Sequence, residues 1–329
     1  MTVSATTAKE CGVKLGNIEL ITGITAMVLL AGTCSPVNKD DPADVPVVTD
    51  TLEEPFGTVR ITLDGSGSTA SFLGRINNGP TPPNIIWEEV DAAGDCRLYK
   101  CVIPFCDGGC GSAGACVADD SCRPYPQGID AGTMTVTGLK TTDGETGFSL
   151  EPLLDNYQLI GVTLQFPPAD EGATVTISAT GGEDVPAFAM SVKAIRPLVL
   201  LNDSITWESG QDIDLRWESA TDPSQSTIHY VVDMAYHGGN IGKIEGTCPD
   251  NGAFTIPATL LDQLQSFGVF GFPKIEVTRR ATGVNASVKT KVIMESKVIV
   301  LFGISGYYSC EEDGHCPDGM TCGEGFLCE

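Results

Sequence analysis

The chain has 329 residues, enough for two domains and some smaller parts, and 42% of them are hydrophobic, enough for ordinary cores. Its 43 acidic and 19 basic side chains give a formal charge of -24, which repels phosphate backbones and anionic lipid and so argues against nucleic acid as a partner. A well-solvated acidic surface accounts for most of this charge, and loose divalent-cation binding is the sharper alternative.

At the start of the chain Lys9 and Lys14 precede an apolar run, LITGITAMVLLAGTC, at 20–34. The run is too short for an ordinary membrane span. Basic residues, an apolar stretch and then small residues are the order of a secretory leader. The stretch LLAGTC resembles a bacterial lipobox, where a peptidase cuts before a cysteine whose thiol carries diacylglycerol. The resemblance implies a signal peptide over 1–33 and a mature chain that begins at lipidated Cys34. Ala31 and Thr33 depart from the usual box, so plain secretion and an uncleaved anchor stay open. Residues 34–55 then hold Pro36, Pro42, Pro46 and Pro55 among six acids. Prolines without backbone donors among like charges predict an extended, disordered tether.

The body reads as strands. TMTVTGL, ATVTISA and AFAMSVK alternate apolar and polar residues, as do DIDLRW, TIHYVVDMAY, KIEVTRR and VKTKVIM. Gly, Pro, Asn and Asp bound these runs. The expected fold is all-β, with two tandem sandwiches at 56–200 and 201–303 meeting at a stiff junction. Ile213, Leu215 and Trp217 share one face of a strand, as do Ile228, Tyr230, Val232, Met234 and Tyr236. One helix is predicted at about 257–267, opened by Pro257, lined by Leu260, Leu261, Leu264 and Phe267, and ended by Gly268.

Thirteen cysteines fall into groups. Cys11 and Cys34 belong to the leader. Cys96, Cys101, Cys106, Cys110, Cys116 and Cys122 crowd residues 96–122, read as a stapled insertion in the first sandwich. Cys248 stands alone, either a buried thiol or the partner of an unlipidated Cys34. Cys310, Cys316, Cys322 and Cys328 step by six along a tail at 307–329. Even counts behind an export signal predict disulfides within each cluster, and the spacing does not suit structural zinc. Six cysteines allow 15 connectivities and four allow 3, so pairing stays open. The tail, too short for a core of its own, resembles the Dickkopf N-terminal cysteine-rich motif through Cys310, Asp313, Cys316, Gly319 and Cys322, with Gly325 and Cys328 following. That resemblance implies a small secreted module and brings no catalytic residues. The whole layout resembles surface lipoproteins of bacteria. It implies an outer-membrane or cell-surface location by lipid anchor, or otherwise secretion.

No sequence motif names a reaction, and no cofactor is expected. His229, His237 and His315 form no metal-enzyme pattern. DGSGS at 64–68 reads as a turn. Asp64, Asp119 with Asp120, Asp143 with Glu145, and Glu311, Glu312 with Asp313 are acidic turns without the ligand spacing of a calcium loop. Asn202 and Asn285 open two glycosylation sequons. The leading expectation is a non-enzymatic binding or structural module whose partner is a protein or glycan at the cell surface. One alternative is a protease inhibitor offering Lys100 or Arg97 from the KCVIPFC loop. Another is a hydrolase whose acids meet only in the folded chain.

Overall fold

The computed structural model describes residues 54–329 apart from 238 and 240. The leader, Cys11, Cys34 and the tether up to 53 lie outside the described residues.

The described chain is nearly all β. In order come β1 (Gly57–Asp64), β2 (Thr69–Ile76), β3 (Ile86–Ala93), β4 (Cys96–Val102), β5 (Gly114–Ala118), β6 (Ser121–Pro124), β7 (Met134–Thr137), β8 (Gly147–Leu150), β9 (Asn156–Gln158), β10 (Thr174–Ala179) and β11 (Phe188–Lys193). There follow β12 (Thr206–Trp207), β13 (Ile213–Arg216), β14 (Thr227–Asp233), β15 (Gly242–Pro249), β16 (Ala253–Ile256), helix α1 (Ala258–Ser266), β17 (Lys274–Asn285), β18 (Thr290–Leu301) and β19 (Gly303–Ile304).

Nine strands make one sheet in the order β3-β4-β15-β14-β17-β18-β1-β2-β9. Its spine is the β17–β18 hairpin, two twelve-residue strands paired along their full length from Lys274↔Leu301 to Asn285↔Thr290. Near its turn β18 pairs in parallel with β1. Farther out β17 pairs with β14. The pairing register along these strands is unbroken, so Ile275, Val277, Ala281, Val292 and Met294 all point to one face of the sheet.

That face carries two cores. One gathers Val59, Ile61, Phe72, Met134, Ile177 and Val192 beneath a four-stranded sheet, β11-β10-β7-β8. The other gathers Trp207, Trp217, Tyr230, Ile244, Leu261 and Val277 beneath α1 and the β13–β16 and β12–β19 pairs. These are the two sandwiches, side by side on a shared sheet. The cut at 200 differs from this arrangement in one respect: β4 pairs with β15 and β1 with β18, so strands from both parts of the chain build each half. Sequence periodicity shows which residues face inward but not which strand lies alongside.

Local chemistry closes the turns. Asp64 Oδ1 accepts from the backbone N–H of Ser66 and Gly67, joining β1 to β2. Asn285 Oδ1 does the same for Ser287 and Val288 and closes the spine hairpin. Asp212, at the foot of β13, reaches across the chain to accept from the Ala258 N–H at 2.7 Å, satisfying one orphan donor at the start of α1. Leu260, Leu261 and Leu264 are buried on that helix, each contributing roughly 1.5–3 kcal/mol of burial.

Candidate functional site

The cysteine-rich stretch has two parts. Cys106 pairs with Cys116 and Cys110 with Cys122, which staples β5 and β6 into a small hairpin. Cys96 and Cys101 are unpaired, contrary to a framework of six. They belong to β4, an interior strand of the large sheet, whose pairing with β3 and β15 fixes them away from the hairpin. The Cys96 side chain points into the second core and lies 2.9 Å from the Tyr230 hydroxyl. Cys248 is also a buried free thiol in that core. Burial raises both thiols above their ordinary value, Cys248 to about 12. Gly246 on β15 lies opposite Cys96 and two residues before Cys248, and the Tyr230 hydroxyl occupies the space where its Cβ would stand.

Between β4 and the hairpin the chain leaves the sheet, and here Ile103 is 90% exposed and Phe105 70%. The backbone beneath Phe105 is fixed at both ends. Its N–H donates to Asp119 Oδ1 at 3.0 Å, and its carbonyl accepts from the Asp120 N–H at 2.9 Å. Asp120 also accepts from the Asp107 N–H. These acids thus hold the loop in shape and frame two apolar side chains that meet no core.

A second feature lies on the outer face of the large sheet, opposite the second core. The register brings Lys243 beside Tyr99, Asp233 beside Lys274, and Val231 between Glu245 and Glu276. Trp87, Val231, Asp233, Lys243, Lys274 and Glu276 wall a pocket of about 180 Å³. The Lys243 ammonium pairs with Glu245 and lies 4.9 Å from the Trp87 ring centre and 5.4 Å from that of Tyr99. Lys274 Nζ sits 3.9 Å over Tyr236, and Glu276 pairs with Lys297 at 2.8 Å. Asp233 accepts from the Ala235 N–H at 2.8 Å, and burial raises its carboxyl above the ordinary value. Glu245, bonded first to His229 and then to Lys243, is held down to about 2.

A larger pocket of about 600 Å³ lies in the first half, walled in part by Asn77, Asn78, Asp130 and Lys289. Its polar groups close the local backbone: Asn78 Oδ1 accepts from the Gln127 N–H and Asp130 Oδ1 from the Gly132 N–H.

The remaining candidates are dispersed. His229 lies on β14 against Glu245, His237 stands in a turn at φ +70°, and His315 Nδ1 accepts from the Glu311 N–H in the tail. Arg97 and Lys100 sit on β4 between two neighbouring strands. Arg97 bonds back to the Gly94 and Cys96 carbonyls, and Lys100 lies over the Phe267 ring. A protease reads an exposed, extended loop, and an interior strand does not offer one. Asp143 accepts from Thr141 and Asp313 Oδ1 from the Cys322 N–H, so these acids also act as turn clamps. Both sequon asparagines donate through Nδ2 to backbone carbonyls, Asn202 to Asp214 and Asn285 to Ala189. In the tail Cys310 pairs with Cys322 and Cys316 with Cys328. The module is docked: Leu327 packs on the second core, and the Gly271 N–H donates to the Gly325 carbonyl at 2.7 Å.

No family model and no curated protein matches the chain. Among solved structures it is similar to a tetra-tandem repeat in the extending region of a large adhesion protein, at 12% identity and TM-score 0.21, covering 77% of this chain and 76% of that one. It is also similar to the FN1–FN3 domains of chicken CNTN1, at 9% identity and TM-score 0.20, covering 71% and 78%. At these values the likenesses carry no functional argument.

Proposed function

We propose that the chain is an exported surface protein, tethered through lipid on Cys34, that binds a protein partner with its stapled insert. The observation that carries the reading is Phe105, whose ring is held in solvent by a backbone fixed on both sides. Leaving a phenylalanine exposed forgoes roughly 1.5–3 kcal/mol of burial, and a rigid apolar anchor recovers this on a partner with little ordering cost. Asp107, Asp119 and Asp120 around it, with a net charge of -24, select a partner surface with an apolar pocket and a basic rim. The two disulfides support an oxidising location.

Two measurements test the reading. Expressed in a bacterial host, the full chain should fractionate with membranes and carry a diacylglycerol mass on Cys34, and Cys34→Ala should be released. A soluble wild-type chain rejects the anchor. Cells displaying the chain should be retained on a layer of target cells or matrix protein, and Ile103→Ser with Phe105→Ser should lower retention about tenfold, the order of one lost anchor. Equal retention, or none for the wild type, rejects the insert as the binding element.

A further inference from the structure

We propose that the pocket on the outer face of the large sheet binds one ring of a neutral sugar. In a chain of charge -24, this pocket sets two lysines, Lys243 and Lys274, against two acids, Asp233 and Glu276. A phosphate or sugar acid would meet both carboxylates, and an amine would meet both ammonium groups. An apolar guest would strip water from four charged groups without replacing its hydrogen bonds. A polyhydroxylated, uncharged ring satisfies all of them, because each hydroxyl both donates and accepts.

The four charged groups are held in place yet not saturated. Asp233 accepts from the Ala235 N–H, Glu276 pairs with Lys297, Lys243 pairs with Glu245, and Lys274 rests over Tyr236. An ammonium has three N–H donors and a carboxylate about four acceptor sites, so each retains capacity toward the pocket. Trp87 supplies an aromatic wall beside the Lys243 ammonium, which lies 4.9 Å from its ring centre. A volume of about 180 Å³ suits one six-membered ring, since a cavity of about 150 Å³ holds benzene. Trp87 pairs with Cys101 across β3 and β4, so the pocket lies at the base of the insert but uses none of its exposed apolar side chains.

The pocket also carries its own reporter. Of the three tryptophans, Trp207 is 1% and Trp217 2% exposed, whereas Trp87 is half-buried at the surface. Quenching and shifts of intrinsic fluorescence therefore report on this site. The full chain should be titrated by fluorescence and calorimetry with maltose, cellobiose, chitobiose and mannobiose, and with inorganic phosphate and lysine methyl ester as charged controls. The expected result is saturable binding of at least one disaccharide in the millimolar range, stronger than either control. Asp233→Asn and Lys274→Met should each weaken it about tenfold, Trp87→Phe should remove the fluorescence change while calorimetry still detects weakened binding, and Ile103→Ser with Phe105→Ser should leave it unchanged. Absence of saturable binding to any of the four sugars overturns the proposal. So does tighter binding of a control, or sugar binding that Asp233→Asn and Lys274→Met leave intact while both variants keep the wild-type melting temperature.

Discussion

Arg279 and Asp250 meet in a two-bond ion pair with neither side chain exposed to solvent. Arg279 Nε donates to Asp250 Oδ2 at 2.6 Å and Nη2 to Oδ1 at 2.9 Å. The other donors reach the carbonyls of Glu218 at 2.5 Å, Pro197 at 3.1 Å and Arg196 at 3.4 Å. Asp250 further accepts from Trp217 Nε1 at 2.8 Å and Ser226 Oγ at 2.6 Å. The pair binds the segment that links the two sandwiches to the spine strand β17.

Arg279→Met leaves the Asp250 carboxylate buried and unpaired, and it should cost about 3–5 kcal/mol in urea unfolding. Arg279→Met with Asp250→Leu removes both charges and should recover a large part of that loss. A single variant as stable as wild type, with an unchanged slope against denaturant, would remove the pair from its role at the junction.

Acid should unfold the protein through these carboxylates. Burial works against the charge of Asp250, yet the bonds from Arg279, Ser226 and Trp217 hold its folded value below the ordinary 3.8. Glu245 falls from 4.5 to about 2. A carboxyl with a depressed folded value contributes stability that is complete above its ordinary value and lost as pH falls through the folded one. Stability should therefore hold from neutral pH down to about 4.5 and then decline toward about 2. Asp250→Asn should lower neutral stability and flatten the acid decline, as read from melting temperature against pH.

The free thiols should differ in access. Alkylation of the native protein without reduction should label half-buried Cys101 first, and Cys96 and Cys248 only after denaturation. Both thiols are free and buried, and Cys96 Sγ is engaged at 2.9 Å by the Tyr230 hydroxyl, so peptide mapping after air oxidation should show both without a bridge. A Cys96–Cys248 disulfide in the mapped protein contradicts this arrangement.

Gly283 on β17 passes so close to the Ser191 carbonyl on β11 that no Cβ fits. Both atoms are held in paired strands, so neither yields cheaply. Gly283→Ala should cost about 1–3 kcal/mol, an overpacking penalty. Gly303→Ala, whose nearest neighbour would lie 3.6 Å away, should cost far less. Equal melting temperatures for the two variants would show that the sheets can separate here.

Much of the fold was legible from alternation. Ile213, Leu215, Trp217, Ile228, Tyr230, Val232 and Met234 are buried on the faces their spacing gives, and the leucines of α1 line its inner side. Period two says which side a residue faces and nothing about its neighbour across the sheet, so the β4–β15 and β1–β18 pairings were not visible. The same gap misplaced Cys96 and Cys101, which look continuous with the stapled hairpin but are residues of an interior strand. The pocket was hidden for that reason too: Trp87, Asp233, Lys243 and Lys274 come from four strands that only the register brings together. Arg279 gave no local signal, because a buried arginine is recognisable only by partners far away in the chain.

The parallel pairing of β1 with β18 also sets an order of events in time. Arg60 and Glu295, bonded across that pair, lie 235 residues apart in the chain. During synthesis β1 emerges long before the strand that must lie beside it, so the first core cannot close until β18 has been made. Such distant closure is slow. A protein of this topology keeps the apolar face of its first strand uncovered while everything from β2 to β17 is being made.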